Sequence, residues 1–93
     1  EISQARVVVD GNTALVAVKF NPAYKGEVTD RIREMIANEI KKADARIQTV
    51  TVTADEDAVT KAYAISDRMR AGEGMENLRK DIQDILNSIK NAL

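Results

Sequence analysis

Residues 5–20 read Ala-Arg-Val-Val-Val-Asp-Gly-Asn-Thr-Ala-Leu-Val-Ala-Val-Lys-Phe, two β-branched runs on either side of Asp10-Gly11-Asn12. Gly and Asn tolerate the positive φ that tight hairpin turns demand, so the stretch predicts a β-hairpin. A short turn also dictates which side chains share a face. With Gly11-Asn12 as the loop, Val9 faces Ala14 and Val7 faces Val16. With Asp10-Gly11 as the loop, Val7 faces Ala14. Either turn puts Val7, Val9, Ala14, Val16 and Val18 on one face, and a three-residue loop would break that parity. The other face then carries Val8, Leu15 and Ala17, more apolar than a solvated sheet face should be.

Pro22 and Gly26 punctuate a loop over residues 21–27. Thr29-Asp30 open a helix that runs to Ala43. Val28, Ile32, Met35, Ile36, Ile40 and Ala43 recur at steps of three and four, giving one apolar stripe. Residues 47–54 alternate Thr and Val, the pattern of a half-buried strand with Val50 and Val52 inward and Thr49, Thr51 and Thr53 outward. Asp55 suits an N-cap, and Glu56 and Asp57 suit the positive end of the helix that follows. That helix is expected over residues 57–71, with Val59, Ala62, Ser66 and Met69 on one side. Gly72-Glu73-Gly74 redirects the chain into a last helix from Met75 towards Leu93.

The expected architecture is therefore α+β: a small three-stranded sheet of β-β-α-β order, one helix on its inner face and two C-terminal helices. The third strand, arriving after a helical crossover, is expected beside a hairpin strand, with the 29–43 helix on the Val7/Val16/Val50 face. Ninety-three residues make a single domain, because two separate cores would each be too small to stabilise themselves. With only Phe20, Tyr24 and Tyr63 as aromatics, that core must be aliphatic.

Composition removes most chemistry. Histidine and cysteine are absent, so the commonest general base, thiolate nucleophiles and zinc ligand sets are missing. Ser3, Ser66 and Ser88 are the only serines, and four glycines make no phosphate-binding loop. Asp55-Glu56-Asp57 lacks the further oxygen ligands that calcium needs, and helix capping accounts for it. No catalytic residue, cofactor or metal site is expected, and the chain reads as a non-enzyme. A net charge of −1 provides no field to gather phosphates, so nucleic acid is not an expected partner. No apolar run approaches the ~20 residues of a membrane helix. The sequence opens at Glu1 without an initiating Met, so any address label is expected upstream.

Ala5–Phe20, with Val-Val-Val-Asp-Gly-Asn-Thr-Ala-Leu-Val-Ala-Val, resembles the sporulation lipoproteins of the YhcN/YlaJ family. Thr29-Asp30, Lys42-Ala43-Asp44, Val50-Thr51-Val52-Thr53-Ala54 and Arg68-Met69-Arg70-Ala71-Gly72 extend the resemblance in the same order. It covers about residues 5–74; within the single domain of residues 1–93, residues 1–74 are expected as a family-like core and residues 75–93 as a C-terminal helix. The resemblance implies a protein exported in spore-forming bacteria, held to a spore or cell membrane by a lipidated cysteine, and linked to sporulation or germination without an assigned catalytic activity. The strand–strand–helix–strand order is also similar to the BON domain and to ring-building motifs of secretion and sporulation channels. Protein partners in the spore envelope follow as the expectation. A self-assembling ring or oligomer, and a small-ligand or peptidoglycan binder, are the alternatives.

Candidate interface residues fall in three places. Tyr24 lies in the 21–27 loop, where an aromatic side chain can anchor a contact. Leu78, Ile82, Ile85 and Ile89 form the apolar stripe of the last helix, spaced for a coiled coil or for docking on the chain's own sheet. Val8, Leu15 and Ala17 form the sheet face that this helix, or a partner, should cover.

Overall fold

Gly11 has a φ of +61°, and no described non-glycine residue has a positive φ. The turn therefore places only its first central residue in the left-handed region, as a type II′ turn does, and Asp10 pairs with Thr13 across it. Gly11-Asn12 is the two-residue loop. The computed structural model describes residues 2–21 and 28–92, the last three of these by backbone alone. Its elements are β1 (Ile2–Asp10), β2 (Thr13–Phe20), α1 (Asp30–Ala43), β3 (Thr49–Thr53), α2 (Glu56–Arg70) and α3 (Met75–Ala92). The architecture is α+β, as the pattern implies.

The strands lie in the order β1-β2-β3, with β1 antiparallel and β3 parallel to the central β2. Ala14, Leu15, Val16, Ala17 and Val18 are all buried, because a central strand covered on both faces has no solvated side. The start of β3 is tied to the hairpin: the N–H groups of Gln48 and Thr49 both donate to the Asn12 carbonyl, at 2.7 and 3.2 Å. Regular pairing spans Thr49–Thr53, shorter than the 47–54 expected, yet Ile47 just before it is 4% exposed.

Two apolar layers form on the sheet. On one face Val8, Leu15 and Ala17 meet Ala58, Val59, Ala62 and Ile65 of α2 and Leu78, Ile82, Ile85 and Leu86 of α3. The outward threonines of β3 share this face, and Thr53 is buried under the helices instead of meeting water. On the other face Val16, Val18 and Val52 meet Val28, Ile36, Ile40 and Val50.

That second layer is incomplete. Val7 and Val9 point to the α1 face, opposite Val16 and Ala14, but are 42% and 37% exposed. A helix about 10 Å across covers roughly two strands at their ~4.8 Å spacing. α1 packs over β3 and β2, so β1 is left bare on that side. None of the α1 residues is fully buried, and Met35, expected in its stripe, is 58% exposed.

The helix ends are set locally. The Thr29 hydroxyl accepts from the Ile32 N–H, and the Asp55 carboxylate accepts from the Ala58 N–H. At the α2–α3 corner, Gly72 has a φ of +93°, its N–H donates to Met69 and that of Glu73 to Arg68, a Schellman ending. The Arg68 guanidinium clasps the corner by binding Glu73 and, at 3.0 Å, Asp81 of α3. Those two carboxylates hold its pKa above the ordinary arginine value.

Candidate interaction surface

The residues singled out from sequence separate into core and surface. Val8, Leu15, Ala17, Leu78, Ile82 and Ile85 come together, all buried, and Ile89 packs half-buried against them. They are the seam by which α3 docks on its own sheet, and in this fold all but the half-buried Ile89 lie away from the surface. Tyr24 lies outside the described residues.

Among the described residues, the outer edge of β1 remains open. One side is sealed by α2 and α3. The other bears the bare Val7 and Val9, with Ile2 39% exposed further along the strand. Beside the edge, Ala5, Arg6, Val7, Ser66, Met69 and Arg70 line a shallow hollow of about 390 Å³. Arg6 spans from strand to helix: its guanidinium donates to the Ser66 hydroxyl at 3.3 Å and pairs with Asp67 at 3.5 Å. Both it and Lys19 lie over the Tyr63 ring, at 5.1 and 4.2 Å from the centroid. These contacts locate the charges of the edge.

Sequence reasoning placed Val7 and Val9 in the core and so missed this surface. The available signal was the helix count: one helix for a three-stranded face leaves one strand uncovered.

A second concavity lies between α2 and α3, about 420 Å³, with Asp55, Asp57, Lys61, Arg68, Asp81 and Asp84 at its rim. Its charges are largely engaged within the fold. Asp55 caps α2, Asp81 is held by Arg68, and Asp84 lies 3.8 Å from Lys80. Among the described residues no group of acidic side chains is arranged to hold a metal ion, and no helix is long and apolar enough to cross a membrane.

Comparison with known proteins gives one consistent result. The family described as sporulation lipoprotein YhcN/YlaJ matches residues 1–90, and so includes most of α3 beyond the 5–74 stretch that carries the resemblance. The probable spore germination lipoprotein YhcN of Bacillus subtilis (strain 168) is 31% identical over 78 residues. That alignment takes in 84% of this chain but 41% of that protein, so the chain spans about two fifths of the relative's length.

Proposed function

Because the chain belongs to the YhcN/YlaJ family of sporulation lipoproteins, we propose that it is a non-catalytic protein-contact domain. It acts in sporulation or germination, held to a spore or cell membrane by a lipid anchor elsewhere in the longer protein. The observation that carries the reading is the β1 edge, which pairs with no further strand among the described residues and whose Val7 and Val9 are uncovered on one face. An unpaired strand offers main-chain hydrogen bonds for affinity, and its alternate side chains supply specificity. A lipid tether would confine such an edge to the membrane surface, where weak contacts gain from high local concentration.

Photo-crosslinking in the full-length protein, in spore membranes, tests this reading. A photoreactive residue at Val7 or Val9 should yield protein adducts, and one at Asn38 on the exposed side of α1 should not. Adducts from Lys61 but not from Val7 would move the site to the α2–α3 cleft. That cleft is where a small-ligand or peptidoglycan-binding role would reside, since its rim carries the converging polar groups such a site needs.

A further inference from the structure

The two edges of the sheet are defended differently. β3 is five residues long, and a short edge strand is a common protection against unwanted pairing. β1 is nine residues long, and its one register irregularity lies at the far end, between Ile2 and Gln4. From Gln4 to Asp10 there is no proline, lysine or bulge. Since Asp10 and Thr13 close the turn, alternation along the ladder directs the backbone groups of Gln4, Arg6, Val8 and Asp10 to β2. Those of Ala5, Val7 and Val9 turn to the free edge.

We propose that this edge pairs antiparallel with the same edge of a second copy, about a two-fold axis at Val8, joining two sheets into one of six strands. The proposal rests on the edge-contact reading above and names its partner. Hydrogen-bond parity and charge select the register. Outward-facing residues must bond outward-facing residues, so Val7 pairs with Val9 of the second copy, and the reverse. The same register sets Arg6 opposite Asp10 of the second copy, twice. Moving the axis to Val7 would place Arg6 against an apolar valine, and moving it to Arg6 would oppose two arginines, which is destabilising.

The charged groups have capacity for this. The present Arg6–Asp67 and Asp10–Arg79 contacts are long, at 3.5 and 3.4 Å, and both a guanidinium and a carboxylate accommodate several partners. The helices also fit. α2 lies over β1 and β2, so two such helices across the new pair would sit about 10 Å apart, a normal packing distance. The contact is small for a free dimer, so association should depend on concentration and gain from tethering.

Sedimentation of the chain from about 10 µM to about 1 mM, a range suited to weak association, provides the test. The parent should self-associate. Arg6→Glu and Asp10→Lys, each of which turns both cross-strand pairs repulsive, should weaken association about tenfold or more. An equimolar mixture of the two variants should associate again. In the mixed pair the new carboxylate faces the new ammonium, while the native pair faces itself. The mixture restores none of the contacts within each chain, so recovery reports only pairing between chains.

If either variant loses its fold, the double variant Val7→Lys/Val9→Lys, at exposed side chains, carries the test and should be folded and monomeric. A parent that stays monomeric at the highest concentration overturns the proposal, as does a mixture that fails to recover. A monomeric parent whose Val7 probe still captures a different protein rejects the second copy as partner and leaves the edge-contact reading standing.

Discussion

The Tyr63 ring is in contact with two cations, yet its hydroxyl is buried with no hydrogen-bond partner among the described residues. An unsatisfied buried hydroxyl costs stability, so Tyr63→Phe should leave the melting temperature unchanged or raise it, while Tyr63→Ala should lower it by removing the packed ring. A fall of several degrees on Tyr63→Phe would show that the hydroxyl is bonded in solution. Charge acts locally at Asp44, where the Arg46 guanidinium and then its backbone N–H hold the carboxyl below its ordinary pKa. A lowered folded pKa contributes stability that is complete above the ordinary carboxylate value and lost as pH falls through the folded one. On going from neutral pH to about 3, Asp44→Asn should therefore lose less melting temperature than the parent, by a small margin since the pair is exposed. Asp55 was legible as a cap because a carboxylate before a helix start has one dominant local use. Asp55→Ala should cost about 1 kcal/mol by thermal or denaturant melting, with no metal dependence in either protein.

At the scale of elements, α3 is the test case. Its stripe is too apolar for water, and Leu78, Ile82 and Ile85 are each 3% exposed or less against Val8, Leu15 and α2. Ile82→Asp together with Ile85→Asp would bury two unpaired carboxylates, each costing several kcal/mol, against a total stability of ~5–15 kcal/mol. The double variant should be unfolded at room temperature by circular dichroism. Retention of the parent's melting temperature would mean that α3 is free of the core. The β3 faces are less unequal than strict alternation implies. Val52→Asp should unfold the domain, whereas Thr51→Asp should be milder, as Thr51 is only half-buried. Helix boundaries followed from caps and glycines, which act within a few residues of chain. The Gly72 ending is one example, since only glycine takes a φ of +93° without strain.

On the scale of the whole molecule, coverage is asymmetric: two helices cover β1 and β2 on one face of the sheet, and one helix covers β2 and β3 on the other. That asymmetry exposes the β1 edge and gives the domain a directional surface. The double variant Val7→Lys/Val9→Lys should keep the fold, since both sites are more than a third exposed, and change melting temperature little. It should abolish crosslinks to partners at the membrane. A variant that loses both fold and contacts would place Val7 and Val9 back among the core residues.

Much of this protein was written in local pattern. The hairpin, the three helices, their caps and the shared face of Val8, Leu15 and Ala17 follow from turn chemistry and from periods of two and 3.6. Each of those is decided by neighbours a few residues apart. Which of the candidate interface residues were interior, and which surface was left open, was not written there. Val7 and Val16 have the same chemistry and the same face, yet Val16 is 2% exposed and Val7 42%. The difference is their place in the strand order: β2 is central because β3 pairs with it in parallel, and α1 packs over that pair. Side-chain period assigns a residue to a face of a sheet. Only tertiary packing decides whether there is enough helix to cover it.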